Sequence, residues 1–199
     1  MHGKLNSYLP KNSVQIIQKL ISEDDLSIII KRERKSRHGD YRKLKNGKHL
    51  ITINENLNQY RFLVTLVHEI AHYYAFKLFG SLIKPHGNEW KSTFKKLLIP
   101  FLKPDVFPKS IISPLAKFIK KPKASTDSSL ELSLALKSFD HPNNKTYIFD
   151  LEEGTIFKIS DGRQFRKGKK IRTRFECKSL ECGRMYSFCS SAQVDLVQK

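Results

Sequence analysis

The fold is decided by the stretch QYRFLVTLVHEIAHYYAFKLF, residues 59–79. Its apolar residues recur at positions 63, 66, 67, 70, 71, 74, 75 and 78, which is the spacing of one face of a helix. The next residue is Gly80, and glycine commonly ends helices because it adopts positive φ without strain. The pattern therefore predicts a helix over residues 59–79 that packs one side against a core.

Two histidines and a glutamate stand on this predicted helix, in the order His68-Glu69-Ile70-Ala71-His72. Residues four apart are separated by nearly one turn, so both imidazoles project from one side and can share a metal ion. Glu69 is next to them, within reach of a water on that metal. At about 100° per residue both histidines fall off the centre of the apolar stripe, which leaves another helix face free for a cleft.

Two histidines are one ligand short, because catalytic zinc takes three protein ligands and keeps a fourth position open. His86 and Glu89 are the nearby candidates, and both stand at the start of a second amphipathic helix predicted over residues 88–98. A histidine six residues after His72 is excluded, since that residue is Leu78. Spacing alone leaves His86 and Glu89 open as the third ligand. The remaining histidines, which lack metal-ligand spacing, are expected at the surface or in hairpins: His2, His38, His49 and His141.

Upstream of the long helix, the sequence predicts one helix and three strands. Residues 14–21 carry apolar residues at helical spacing, and the runs 26–31, 41–44 and 49–53 are typical of strands. Asn46-Gly47 is a strong hairpin signal, because both residues tolerate positive φ. We therefore expect a small antiparallel sheet, and the fold class is α+β.

The HEIAH motif, followed by the histidine of HGNEW at residues 86–90, resembles the SprT-like family of zinc metalloproteases. That family includes Spartan, which cleaves proteins crosslinked to DNA. The stretches RHGDYR (37–42) and ITIN (51–54) are also similar to the family, and the resemblance covers residues 8–102.

The resemblance implies a zincin-like domain with a specific set of site residues. His68, His72 and His86 would bind one zinc ion per chain, and Glu69 would be catalytic. Water activated by zinc and Glu69 would hydrolyse peptide bonds of a protein substrate. Glu89 would then be an acid at a helix N-terminus, and Trp90 a core anchor.

Prolines divide the chain. Five fall between residues 100 and 122, so we predict a metalloprotease domain over 1–102, a Pro-rich connector with at most short helical turns over 103–129, and a C-terminal unit over 130–199. Residues 130–136 alternate as a strand would, yet their composition suits a short helix, which we favour. From Tyr147 onward, β-rich runs separated by glycines predict a small unit of hairpins.

The C-terminal unit departs from a pattern common in the family, a zinc ribbon with two cysteine pairs. This chain has only Cys177, Cys182 and Cys189, and a closed structural zinc site needs four ligands. We therefore predict no structural zinc there. The odd number of cysteines also argues against a disulfide-stapled secreted protein and favours the cytoplasm.

The charge indicates a polyanionic partner. The chain has 37 Lys and Arg against 19 Asp and Glu, which gives a net charge of +18. Nucleic acid, with DNA first, is the leading candidate, and an anionic membrane surface is the second. The first basic cluster, residues 31–48, carries nine Lys and Arg. The second, residues 163–174, contains a predicted hairpin tip at 166–170. The predicted nucleic-acid contacts are all in that cluster: Arg163, Arg166, Lys167, Lys169, Lys170, Arg172 and Arg174.

Some function classes are excluded and two alternatives stay open. The chain has no run of about 20 apolar residues, so we expect no membrane span and no membrane partner. Its first 13 residues lack the apolar core of a signal peptide. One alternative is a nucleic-acid-binding protein with a vestigial or unused protease site. The other is a zinc peptidase with no nucleic-acid role.

Overall fold

The structure is a computed structural model that describes residues 3–23, 25–34, 36–142 and 144–197. It divides into two compact units. The first consists of Met1–Ala124 and Ala135–Asp140, and the second of Ser125–Leu134 and His141–Lys199. Helices and small sheets are both present, so the fold class is α+β, as predicted.

In its described residues the first unit has five complete helices: α1 (Gly3–Asn6), α2 (Val14–Leu20), α3 (Gln59–Phe79), α4 (Asn88–Leu98) and α5 (Lys109–Lys120). A sixth helix, α6, spans Leu130–Lys137. The helices predicted from residues 14, 59 and 88 onward are confirmed, and so is the helical interpretation of residues 130–136. None of the described helices has both the length and the apolar character that a bilayer span requires.

The sheet of the first unit is mixed, which corrects the antiparallel expectation. Its strands are β1 (Leu26–Lys31), β2 (Gly39–Lys43) and β3 (His49–Asn54), in the order β1-β3-β2. β2 and β3 are antiparallel and joined by the predicted turn, in which Gly47 has φ +82°. β1, however, runs parallel to β3, with Leu26 opposite His49.

A buried asparagine explains this order. Asn54, at the end of β3, is 1% exposed, and its Nδ2 donates to the carbonyls of Arg34 (3.2 Å) and Arg37 (2.9 Å). Arg34 returns a bond from Nε to Asn54 Oδ1 (2.8 Å) and another from Nη1 to Thr52 Oγ1 (2.8 Å). These bonds hold the connection after β1 across the end of β3. β2 therefore pairs with the far side of β3, and Gly39 belongs to a strand.

The predicted connector contains a regular helix, so the expectation of at most short helical turns was wrong. In α5 the residues Ile111, Leu115, Phe118 and Ile119 are buried, at the i, i+4, i+7 and i+8 spacing of an amphipathic helix. Pro108 stands just before the helix, and Pro114 lies inside it. Burial of this apolar stripe outweighs the backbone hydrogen bond that Pro114 cannot donate.

The second unit is built on six strands in the order β4-β9-β5-β6-β7-β8, with antiparallel pairing throughout. The strands are β4 (Thr146–Tyr147), β5 (Ile156–Lys158), β6 (Gln164–Ile171), β7 (Arg174–Ser179), β8 (Met185–Cys189) and β9 (Gln193–Leu196). The prediction of a small β unit is confirmed. Its core comprises Ile148, Leu151, Phe157, Phe165, Phe175, Cys177 and Val194.

The tip of the basic hairpin is not where the sequence placed it. Residues 166–170 lie inside β6, and the turn falls at Arg172 and Thr173, between the paired residues Ile171 and Arg174. Gly168 is needed for a close approach, since a Cβ there would lie 2.6 Å from the carbonyl oxygen of Glu176. The β6–β7 register also shifts between residues 167 and 170. The glycine therefore marks a β-bulge and not a turn.

Candidate metal centre

Helix α3 positions three of the four predicted site residues. Asn58 caps its first turn, because its side-chain oxygen accepts hydrogen bonds from the backbone N–H groups of Tyr60 and Arg61. Gly80 ends the helix at φ +77°. From residue 61 to residue 75 the helix is buried except at His68, His72 and Tyr74, which are partly exposed. The face of α3 that was predicted to be free for a cleft is therefore limited to these three residues.

The loop between α3 and α4 supplies the third histidine. His86 has φ +59°, a left-handed conformation that costs free energy in a residue other than glycine. The following residue, Gly87, is the N-cap of α4 and donates its N–H to the carbonyl of Lys84 (2.8 Å). A tight turn thus directs the imidazole of His86 back towards α3.

The three imidazoles converge on one point. The Nε2 atom of His86 lies 3.1 Å from that of His68 and 3.1 Å from that of His72, and the latter two are 3.2 Å apart. Among the described residues, this is the one group of three or more His, Cys, Asp or Glu side chains close enough to share an ion. Glu89, the rival ligand, is not part of it and lies in the first turn of α4. The sequence prediction of a converging triad agrees with this geometry.

The donor set fits zinc. A tetrahedral zinc ion bound to nitrogen at about 2.0–2.1 Å holds its ligand atoms about 3.4 Å apart, close to the separations found here. Desolvation and the neighbouring imidazoles lower the pKa of His68 to about 2 and that of His72 to about 4. Desolvation, followed by the charge of Lys91, also lowers the pKa of His86. All three rings are therefore neutral at neutral pH, which is the form that binds metals.

Trp90 packs against the whole triad. The ring centroids of His68, His72 and His86 lie 4.6, 5.2 and 4.7 Å from that of the indole, which is completely buried and stacked on Phe94. Its Nε1 has no hydrogen-bond partner among the described residues. The interpretation of Trp90 as a core anchor is confirmed.

Glu69 lies in a tight, partly charged environment. It is 7% exposed, and desolvation, with a smaller contribution from Asp40, raises its pKa to about 8 despite the opposing charges of Arg34 and Arg37. Gly39 of β2 touches it closely, since a Cβ on Gly39 would lie 2.7 Å from Glu69 Oε1. A buried carboxyl whose pKa is near neutrality is suited to accept and release a proton.

A second polar group borders the triad on the β2 side and was missed from the sequence. The Tyr41 ring is parallel to that of His72, with centroids 6.1 Å apart, and its hydroxyl is hydrogen-bonded to His49 Nδ1 (2.9 Å). His49 is 3% exposed. Tyr73 is also buried, and its hydroxyl donates a hydrogen bond to Asp25 Oδ1 (2.6 Å). His49 lies in the β2–β3 hairpin, one of the two locations predicted for it, and β3 carries its side chain inward.

Among the described residues, neither His38 nor His141, which were expected at the surface or in hairpins, belongs to a group that could hold a metal ion. His141 is exposed and His38 is partly buried. His2 lies outside the described residues.

The geometry agrees with a comparison between this chain and known proteins. The sequence pattern that defines the SprT-like family matches residues 7–104, which include all four site residues. Residues 7–104 belong to the SprT-like family. Members of this family are metallopeptidase-like and usually associated with zinc. Comparisons with curated proteins and with solved structures gave no match.

The predicted nucleic-acid contacts do not form one surface. Arg163 pairs with Asp161 (2.9 Å) and lies over the Phe165 and Tyr186 rings, whereas Lys170, Arg172 and Arg174 lie at the other end of the β6–β7 hairpin. The remaining exposed members are Arg166 and Lys169.

Lys167 does not belong with the other predicted nucleic-acid contacts, because its side chain is buried. It is 6% exposed, and its ammonium donates to the carbonyl of Leu151 and lies 4.3 Å from the centre of the Phe175 ring. A charge held inside the core is not available to a phosphate.

The three thiols of the unit are free, with Cys177 buried, Cys189 partly buried and Cys182 exposed.

Proposed function

We propose that this protein is a zinc-dependent metallopeptidase that hydrolyses peptide bonds of protein substrates. The observation that carries the proposal is the convergence of three neutral imidazoles to within 3.1–3.2 Å, next to a buried glutamate on the same helix. A zincin-like arrangement of α3 against the sheet, and a cytoplasmic location in which the free thiols persist, are part of the same proposal.

Each side chain has a distinct role in this proposal. His68, His72 and His86 hold the metal in neutral form. Zinc, when bound, supplies Lewis-acid chemistry that acidifies water to a pKa of about 7 and polarises a peptide carbonyl. Glu69 accepts a proton on its carboxylate and later releases it to the departing amine. Gly39 lies directly against the Glu69 side chain, and the charges of Arg34 and Arg37 favour its ionised form.

Metal content and proteolysis of paired variants test the proposal. His68→Ala and His86→Ala should each abolish the single equivalent of zinc, whereas Glu69→Gln should keep zinc and lose cleavage of a denatured protein substrate. Glu89→Gln is the matched control, because Glu89 is outside the triad, and it should keep both properties. Full cleavage by Glu69→Gln would refute the role assigned to that residue.

We further propose that the C-terminal unit brings the enzyme to DNA, where its substrates would be DNA-bound proteins. The net charge of +18 and the exposed cations of the β6–β7 hairpin support this extension. The alternative is a nucleic-acid-binding protein whose protease site is unused. A salt titration of DNA binding, run beside an assay of DNA-stimulated self-cleavage, separates the two. Binding without any cleavage would favour the alternative.

A peptidase without a nucleic-acid role remains the third case, and charge reversal tests it. Lys169→Glu and Lys170→Glu should weaken DNA binding, since both side chains are exposed. Unchanged DNA affinity and activity in the double variant would favour the third case.

A further inference from the structure

The C-terminal unit contains a cleft of about 280 Å³ beside the β6–β7 turn. Its walls come from three segments of that unit, at residues 125–130, 170–174 and 189–191. The sequence predicted a projecting hairpin tip at residues 166–170 within this basic cluster. The structure instead places three of them, Lys170, Arg172 and Arg174, around a concave site.

The cleft has an excess of positive charge. Three cations line it against one carboxylate, that of Asp127. Asp127 Oδ1 already accepts a hydrogen bond from Ser133 Oγ (3.0 Å), which compensates part of its charge locally. Hydroxyl groups of Ser125, Ser128 and Ser190 add polar surface to the walls. This combination of guanidinium, ammonium and hydroxyl groups is the kind that binds phosphate oxygens.

The basic wall is held in place by the unit itself. Arg174 donates from Nε and Nη2 to the side chain and carbonyl of Ser187, both at 2.8 Å, which fixes its guanidinium. Ser190 Oγ donates to the carbonyl of Thr173 (2.7 Å) and ties the turn to the segment after β8. Arg172 has φ +54°, a strained conformation for arginine, and such strain is concentrated at functional sites.

We propose that this cleft binds the phosphodiester backbone of a nucleic acid, with one phosphate group inside it. The inference rests on the nucleic-acid contact proposed above and does not depend on the metal site. The volume is near the lower limit of ligand pockets, about 300 Å³, so the cleft holds a single unit of the backbone. None of the described lining residues is aromatic, so bases are not stacked there and binding is insensitive to sequence.

Two triple variants with the same loss of charge test the location. The first carries Lys170→Gln, Arg172→Gln and Arg174→Gln. The control carries Lys158→Gln, Lys178→Gln and Arg184→Gln, all exposed and outside the cleft lining. Binding of a short labelled single-stranded DNA is measured at several salt concentrations. One neutralised phosphate of a single strand contributes about 0.7 to the slope of log K against log salt, so the cleft variant should lose about that much and the control should keep its slope.

Thiol alkylation of the wild-type chain gives a readout that needs no substitution. Cys189 lines the cleft, whereas the exposed Cys182 does not and serves as the internal reference. Bound single-stranded DNA should slow alkylation of Cys189 and leave that of Cys182 unchanged. If the triple variant fails to fold, the double variant Lys170→Gln with Arg172→Gln is used in its place, because it keeps the hydrogen bonds of Arg174 to Ser187.

Several results would overturn the inference. Equal loss of slope in both triple variants would show that only the overall charge acts, and unaltered alkylation of Cys189 would place the DNA elsewhere. Equal competition by polyglutamate would indicate a site for acidic peptides, and binding of inorganic phosphate without DNA would indicate a small-anion site. Complete absence of DNA binding would refute the nucleic-acid contact as well, while the zinc and cleavage assays would judge the peptidase proposal separately.

Discussion

Replacing Gly39 with alanine is expected to displace the carboxyl of Glu69, the proposed general base. The new Cβ would lie 2.7 Å from Glu69 Oε1, 2.9 Å from Glu69 Cγ and 2.8 Å from Thr65 Cγ2. Carbon atoms pack best at about 3.5–4.0 Å, so roughly 1 Å must be recovered. Gly39 is not among the residues with positive φ, and alanine therefore fits its backbone conformation. The conflict is one of space alone.

The displacement can be converted into expected magnitudes. Thr65 is β-branched and stiff within α3, so the Glu69 side chain or strand β2 must move. Overpacking of this kind costs about 1–3 kcal/mol of stability. A shift of about 1 Å at a catalytic group reduces activity about 100-fold. We therefore expect Gly39→Ala to lower kcat/KM about 100-fold and to leave zinc binding intact, since the three atoms nearest to the new Cβ belong to Glu69 and Thr65.

The assay combines metal analysis, cleavage of a denatured protein and denaturant unfolding. Gly168→Ala is the matched control, because its Cβ would lie 2.6 Å from the Glu176 carbonyl oxygen in the other unit. It should lower stability and leave zinc and cleavage unchanged. Wild-type cleavage and stability in Gly39→Ala would refute the reasoning, because they would mean that β2 does not press on Glu69.

Three further predictions concern other buried or reactive groups. Burial raises the pKa of Glu69 to about 8, against about 4.3 in an unfolded chain, so the metal-free protein should lose stability as pH rises through this interval. With metal removed by a chelator, Glu69→Gln should therefore unfold at a higher urea concentration than the wild type above pH 8, and at the same concentration below about pH 4. An equal pH dependence of unfolding in the two proteins would contradict this. Trp90→Ala should cost about 3–5 kcal/mol in urea unfolding, whereas the control Leu82→Ala, at a site 98% exposed, should change stability little. A bond from Ser179 lowers the pKa of the exposed Cys182 thiol, whereas burial raises that of Cys177, so mass spectrometry should find Cys182 alkylated first; faster labelling of Cys177 would show that the β-unit core is open.

Local patterns predicted the two helices that carry or flank the three converging histidines. The bounds of α3 and α4 follow from apolar periodicity and from Gly80, and the i, i+4 spacing already places two imidazoles on one side of a helix. These features depend on neighbouring residues only. The same is true of the Asn46-Gly47 turn and of the hairpins after Tyr147.

Sequence patterns gave wrong predictions where a residue contacts a segment that is distant in sequence. Gly168 resembled a turn glycine but admits the carbonyl of Glu176, and the prolines around α5 concealed an amphipathic helix. Lys167 counted as a surface charge, yet strand alternation carries it into the core over Phe175. In each case the deciding partner is remote in sequence or is revealed only by strand register.

The sequence by itself determined α3 and α4, the spacing of His68 and His72 and the identity of the candidate general base, because these are properties of one segment and its period. Tertiary structure alone decided that His86 and not Glu89 completes the triad, that β1 runs parallel to β3, and that Gly39 presses on Glu69. The physical reason is that these outcomes depend on contacts between segments. Loop conformation, the buried hydrogen bonds of Asn54 and the space between a strand and a helix set those contacts, and none of the three has a local signature.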